Sequence, residues 1–307
     1  MMTSTHSIAR WLPPGFKPFV TSAIPAGCRT AVWRARRRFH EWRTEQDVRR
    51  LYRRIRRSPP KANDRERVGP YVIRINDGWT FYNLYKDIFA YRIYHFTSVR
   101  PAPRIIDCGS NIGGSILYYK WVYPKARIVG FEPDPSLFPY LRTNITDNGL
   151  TDVTLVQAAL SAQEGSLRFY SDGKAGSCLA HNLPSDAREW QPYDVPCVRL
   201  AEYLSEPVDF LKMNIESAEW EVLADNAHGL SNIHEMVIEY HHLPGIPRTL
   251  HHILALLDRQ GFEYAIHHFD YHTNPQLKPP FELRPETRYY LLIYAKQRQY
   301  MERLAEK

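Results

Sequence analysis

Ile105-Ile106-Asp107-Cys108-Gly109-Ser110-Asn111-Ile112-Gly113-Gly114 runs from a short apolar stretch into a glycine-dense turn, after which the apolar spacing becomes helical. A short apolar run bounded by turn residues reads as a buried strand. Glycine in the turn admits positive φ and lets a ligand approach the backbone closely. Strand, glycine turn and helix form the opening unit of a parallel α/β sheet, whose ligand crevice lies beyond the carboxyl ends of the strands. Asp107, Gly109, Ser110, Asn111 and Gly113 are therefore the first candidate ligand-binding residues.

Working outward, Ile128-Val129-Gly130-Phe131-Glu132-Pro133-Asp134 is a second apolar strand, ending in Glu132. An acidic side chain at the end of the second strand accepts hydrogen bonds from both hydroxyls of a ribose. The turn itself, D-x-G-x-N-x-G, departs from the G-x-G-x-x-G that cradles a pyrophosphate. Asp107 would repel a pyrophosphate and suits a cationic amino group. A ribose, a cationic amino group and no phosphate together describe S-adenosylmethionine. Val156-Gln157-Ala158-Ala159-Leu160 is expected to end a third strand, with Ala158 or Ala159 near an adenine ring; plain core packing explains either alanine equally well.

The pattern continues along the chain. Strands are expected at 104–108, 127–132, 153–157, 208–213, 234–240, 262–268 and 288–295, and helices at 112–123, 135–147, 217–226 and 248–260. Such alternation predicts an α/β fold, a Rossmann-like parallel sheet with helices on both faces. Residues 165–200 carry Gly165, Gly173 and Gly176 between short runs and read as a hairpin-rich insertion between the third and fourth strands. The expected organisation is a Pro-rich and basic helical N-terminal extension (1–60), a lid or cap segment (61–103) with aromatics at Phe81, Tyr85, Phe89 and Tyr94, and the sheet domain (104–307).

Composition narrows the remaining choices. The chain has 307 residues, 44% hydrophobic and 24% charged, which is ordinary for a globular protein. Its four cysteines form no CxxC pair, which removes support for a zinc or dithiol site and fits a reducing, cytoplasmic setting. No apolar run reaches the ~18 residues of a membrane span. The formal charge of +7 concentrates in residues 29–57, where twelve arginines interleave with Phe39, Trp42, Val48, Tyr52 and Ile55 at helical spacing. This segment is read as a solvated helix face, as a peripheral contact with an anionic membrane, or, least of all, as a nucleic-acid contact, because no nucleic-acid-binding motif accompanies it.

These motifs resemble the FkbM family of methyltransferases. The resemblance runs from Asp107 through Phe131-Glu132-Pro133-Asp134-Pro135, Asn144, Asn148 and Ala158-Ala159-Leu160-Ser161 to Lys212-Met213-Asn214-Ile215-Glu216-Ser217-Ala218-Glu219 and Ile238-Glu239-Tyr240-His241. It implies a class I methyltransferase fold, S-adenosylmethionine as cofactor, and O-methylation of hydroxyls on sugars, polysaccharides or natural products. Asp107, Gly109, Asn111, Gly113 and Glu132 are the implied cofactor contacts. One departure stands out: the family usually reads K-x-D-x-E-G-x-E, and here Asn214 replaces the acid and Ser217 the glycine. Asn214 hydrogen-bonds but carries no charge.

Methyl transfer to an alcohol needs an in-line approach and a base for the hydroxyl proton. Groups at the carboxyl ends of the fourth and fifth strands are in place for this: Asn214, which also borders the cofactor, Glu216, Glu239, His241 and His242. Histidine titrates near neutrality, so His241 is the first choice as base, with Glu239 orienting it or taking its place. His251-His252 and His267-His268 lack metal-ligand spacing, and no metal is expected. The Gly176-Ser177-Cys178 loop with His181, and the aromatics Trp190, Tyr193 and Tyr240, are candidates for closing over an acceptor. The expected acceptor is a glycan or small-molecule hydroxyl. A lipid hydroxyl, or an inactive cofactor-binding scaffold favoured by Asn214, are the alternatives.

Overall fold

The computed structural model describes residues 26–174, 176–179, 190–243, 245–268 and 289–305; the side chains of 26–38, 40, 179 and 302–305 are not among them. His181 lies outside the described residues. The chain forms two compact units that divide between Tyr52 and Arg53.

The division falls inside α1 (Ala26–Arg57). In the first unit Phe39 and Trp42 are 60% and 58% exposed, and their rings touch at 5.9 Å. Val48 is buried. At 3.6 residues per turn Val48 stands about 180° around the helix from Phe39. The apolar residues of this helix therefore do not share one face, although their three-or-four spacing suggests it. Arg43, Arg49 and Arg50 are exposed.

The second unit opens with a hairpin, β1 (Arg65–Val68) and β2 (Tyr71–Arg74), then α2 (Gly78–Leu84) and one π-helical turn at Tyr85–Ala90. Asp77 starts α2 by accepting hydrogen bonds from the backbone of Trp79 and Thr80, both at 2.9 Å. Next come β3 (Arg104–Cys108), α3 (Gly114–Val122), β4 (Arg127–Phe131), α4 (Phe138–Asp147), β5 (Val153–Val156) and β6 (Ala159–Leu160). The insertion contributes β7 (Gly165–Ser171), β8 (Ser177–Leu179) and β9 (Gln191–Val198). The chain then runs through β10 (Val208–Met213), α5 (Glu219–Asp225), β11 (Ile233–His242), α6 (Leu250–Arg259), β12 (Phe262–His268), β13 (Tyr289–Gln297) and α7 (Arg298–Ala305).

Seven strands form the main sheet in the order β12-β13-β11-β10-β3-β4-β5. β3, β4, β5, β10 and β11 pair in parallel, and β13 is antiparallel to both neighbours. The chain leaves β3 outward to β4 and β5, then returns to the other side of β3 at β10. Strand order reverses there, so the ligand crevice opens beyond the carboxyl ends of β3 and β10. β10 is buried throughout because both faces are covered. Leu211 packs on the face of α5 and α6 with Val222, Leu223, Ile253 and Leu257. Phe210 points the other way, against Tyr119 of α3 and Phe96.

Residues 61–103 form the outer layer of that second face. Phe96 stacks on Phe210 at 4.3 Å, and Phe89 packs against Tyr118 and Trp121 of α3. Asn144 clamps β2 to α4: its Nδ2 donates to Arg74 O (2.9 Å) and Ile112 O (2.8 Å), and its Oδ1 accepts from Arg74 N (2.7 Å). Asn148 makes the same two-way exchange with Val72.

The insertion is a separate four-stranded sheet in the order β6-β9-β7-β8. This corrects the expected end of the third strand. β5 stops at Val156, and Ala159–Leu160 leave it to pair with β9. A continuous sequence run hides the change of sheet.

Asn144→Ala removes three hydrogen bonds from a buried site and is expected to cost about 3 kcal/mol, read as a lower urea midpoint. The more exposed Asn148→Ala should cost less than half of that; equal costs would contradict the clamp.

Candidate active site

At the end of β3 the chain turns through Gly109 (φ 86°), Asn111 (φ 48°) and Gly113 (φ 93°). Asn214 N donates to Cys108 O at 3.0 Å, so the turns after β3 and β10 cross here. A Cβ at Gly109 would stand 1.9 Å from Asn214 O, which only glycine avoids. The Gly109 and Ser110 amides both donate to Phe131 O, tying the turn to the end of β4.

Glu132 follows Phe131. Its two oxygens accept from Asn111 N (2.7 Å) and Asp134 N (2.9 Å). One further acceptor position remains on each oxygen, so the carboxylate is held in place with capacity for two hydroxyl donors. Burial pushes its carboxyl up to about 7, against those two amide bonds, which favour the charged form. The β7–β8 turn reaches the same place: Asn111 Nδ2 donates to Lys174 O (3.1 Å), and Asn76 Nδ2 to Gly173 O (3.1 Å).

Asp107 is fully buried behind this turn. Its Oδ2 accepts from Ser115 Oγ (2.6 Å) and Ser110 Oγ (3.0 Å). Its Oδ1 has no hydrogen-bond partner and lies 3.4 Å from Lys212 Nζ. Lys212 also donates to the carbonyls of Gly109 and Cys108. Lys212 was legible only as part of a motif; the available signal was a lysine inside an apolar strand, which needs a buried partner.

Beyond the crossing, Glu216, Glu219, Glu239 and His241 converge. His241 Nδ1 lies 3.5 Å from Glu219, and its Nε2 lies 3.5 Å from Glu239 and 3.8 Å from Glu216. Burial alone would lower the His241 pKa, but the three carboxylates outweigh it and hold the ring well above its ordinary value. This favours the imidazolium form, which has no lone pair to accept a proton. Burial opposes ionisation of Glu239 as well, yet hydrogen bonds from His241 and Tyr94 keep its carboxyl below the usual value. Glu216 is different: burial pushes it up to about 7, with His241 opposing. Its side chain is 22% exposed, against 7% for Glu239, 6% for His241 and 1% for Glu219. Glu216 is thus the member of this group that an outside molecule can reach.

The remaining expected residues are scattered. Ala158 is buried, and Ala159 belongs to the smaller sheet. Asn214 keeps a buried Oδ1 without a hydrogen-bond partner. Trp190 packs on Gly176, and Cys178 is buried. His251 and His252 lie 3.8 Å apart, with His252 stacked on Trp220. Among the described residues no group of three or more His, Cys, Asp or Glu has the geometry to hold a metal.

A largely parallel seven-stranded sheet with strand order reversing at the crevice, a glycine turn after its first strand and a preset carboxylate after its second define a class I S-adenosylmethionine-dependent methyltransferase. The chain belongs to the FkbM methyltransferase family, whose domain matches residues 107–264. It is 29% identical over 214 residues to methyltransferase sdnD of Sordaria araneosa, covering 59% of this chain and 81% of that protein. It is 28% identical over 231 residues to the 31-O-demethyl-FK506 methyltransferase FkbM of Streptomyces tacrolimicus, covering 63% and 86%. To the 2-O-methyltransferase NoeI of Sinorhizobium fredii it is 27% identical over 158 residues, covering 46% and 64%.

Ser217 has φ 76° and an unpartnered hydroxyl. Glycine adopts this conformation without strain. Ser217→Gly is therefore expected to stabilise the fold by about 1 kcal/mol, read as a melting temperature higher by about 2–4 °C. An unchanged or lower melting temperature would show that the backbone there is unstrained.

Proposed function

We propose that the protein is an O-methyltransferase acting on a hydroxyl of a sugar, glycan or glycosylated metabolite, with Glu216 as the base. The observation that carries this is the Glu216 carboxyl: reachable from outside, poised near pH 7, and close to the crossing of the two turns. Two of the relatives act on oxygen by name, which supports oxygen as the atom methylated here.

The residues present fit S-adenosylmethionine. Glu132 offers two free acceptor positions to a ribose. The unpartnered Asn214 Oδ1 is a buried acceptor suited to an ammonium donor. Asp107, already paired with Lys212, serves to hold the glycine turn as much as to attract a cation. When bound, S-adenosylmethionine would supply a sulfonium methyl group for transfer to oxygen, with the thioether as leaving group. The protein positions the acceptor hydroxyl in line, and Glu216 takes its proton. His241, as an imidazolium, holds Glu216, Glu219 and Glu239 together without excessive repulsion. This assignment moves the base from His241, the first choice from sequence, to Glu216, because a ring enclosed by three carboxylates keeps its proton.

An inactive scaffold is the reading that Asn214 favours. Against it, Asn214 is not the base in this assignment, so its lack of charge leaves proton removal intact.

Two measurements test the proposal. Calorimetric titration with S-adenosylmethionine should show binding that Glu132→Ala weakens by at least about tenfold, the value of roughly one charge-assisted hydrogen bond. Release of S-adenosylhomocysteine is then followed across simple glycosides, glycolipids and long-chain alcohols. Turnover should favour the glycosides and rise with pH through about 7 as Glu216 loses its proton. Glu216→Gln should remove that limb and lower kcat by about 10²–10⁴-fold while leaving cofactor affinity nearly unchanged. Undiminished kcat in Glu216→Gln would sink the assignment of the base; cofactor binding with no turnover on any class would favour the scaffold.

A further inference from the structure

The first unit presents two large aromatic side chains on the outside of α1. Phe39 and Trp42 are 60% and 58% exposed, and their rings meet at 5.9 Å with a tilt of 32°. Helix geometry fixes what surrounds them. At 3.6 residues per turn, an arc of about 120° passes through Arg49, Trp42, Gln46, Phe39, Arg50 and Arg43 in that order around the helix. The aromatics therefore lie inside the arc and the arginines at its edges. All three arginines are exposed, and Val48 on the opposite side is buried. Glu45 and Asp47 border the arc and Glu41 lies well outside it, so the arc itself holds no acid.

Two of the arginines pair with those bordering acids: Arg49 with Glu45 at 3.0 Å and Arg50 with Asp47 at 3.5 Å. Exposed pairs of this kind contribute little and yield to a phosphate, which an arginine can hold through two hydrogen bonds at once. By sequence, α1 carries twelve arginines against three acidic residues, a formal charge of +9, while the whole chain carries +7. The helix is thus the source of the basic balance of the protein.

We propose that this arc of α1 docks on a bilayer surface rich in anionic phospholipid, with Phe39 and Trp42 seated among the headgroups and Arg43, Arg49 and Arg50 on their phosphates. The order around the helix is that of an interfacial helix, apolar rings in the middle and cations at the margins. The long arginine stems let the guanidinium groups reach back to the headgroups while the rings sit deeper. Other occupants fit less well. A second copy of the arc would set arginines against arginines. Single-stranded nucleic acid stacks successive bases on open ring faces, whereas these two rings lean on each other and make one apolar spot. No helix among the described residues is long and apolar enough to cross a membrane, so the contact is with the surface. The proposal concerns the first unit and does not depend on which hydroxyl the second unit methylates.

Vesicle flotation with the full chain tests this. Vesicles of phosphatidylglycerol mixed with phosphatidylcholine should bind the protein at least about tenfold more tightly than vesicles of phosphatidylcholine alone. The double variant Phe39→Ser/Trp42→Ser should weaken that binding by about tenfold or more. The triple variant Arg43→Gln/Arg49→Gln/Arg50→Gln should weaken it to a similar degree and remove most of the preference for the anionic lipid. All five side chains are exposed, so melting temperature and far-ultraviolet circular dichroism should hold in both variants, which separates a lost contact from a lost fold. Failure of the unaltered protein to float with the anionic vesicles would overturn the proposal. So would undiminished flotation of the aromatic variant, because diffuse attraction of a basic chain to a negative surface needs no aromatic pair. If that variant does not fold, the arginine variant keeps the test decisive, and its undiminished flotation would overturn the proposal in the same way. Retention by a single-stranded oligonucleotide that both variants lose, without flotation, would assign the arc to nucleic acid instead.

Discussion

The buried contact between Lys212 and Asp107 holds the centre of the molecule. The two residues are register partners on β10 and β3, the strands that flank the reversal in strand order. Both are almost fully buried, at 2% and 0% exposure. A lone buried charge costs several kcal/mol, so each is tolerable only with the other in place. Lys212 then uses its remaining donors on the carbonyls of Cys108 and Gly109. One ammonium thereby sets the register of the two central strands and the path of the glycine turn. A slip of either strand by one residue would turn its member of the pair to the opposite face of the sheet and leave two unpaired charges in the core.

Around that pair, the parts legible in the sequence are those that depend on neighbours along the chain. β3, β4 and β10 are short apolar runs because parallel strands are covered on both faces, and they lie where the hydrophobic pattern puts them. The glycine turn and Glu132 are legible because their backbone demands fall on consecutive residues. The active site is less so. Glu216, Glu219 and Glu239 meet at His241 only after β10 and β11 pair, and no local pattern reveals that one histidine will face three carboxylates. The choice of His241 as base followed from the unperturbed pKa of histidine, which the fold then shifts upward. Tyr94 was legible as an aromatic in a helical-looking series, not as a group that donates to Glu239.

The same reasoning explains why residues 61–103 belong with the catalytic fold. Asn144 and Asn148 satisfy the backbone of β2 as a neighbouring strand would, and Phe96 covers Phe210. Stripped of this layer, α3 would expose Tyr118, Tyr119 and Trp121, and Glu239 would lose its phenol donor. The segment acts as structure and as part of the site at once.

Electrostatics separates the interior of the protein from its exterior. The chain carries a formal charge of +7, yet Asp107, Glu132, Glu216, Glu219 and Glu239 gather about the carboxyl ends of β3, β4, β10 and β11, with Lys212 and His241 beside them. A low-dielectric acidic crevice magnifies its preference for a cation over a neutral or anionic ligand. That preference suits a sulfonium with an ammonium, and it excludes the pyrophosphate of a dinucleotide even though the sheet resembles a dinucleotide-binding one.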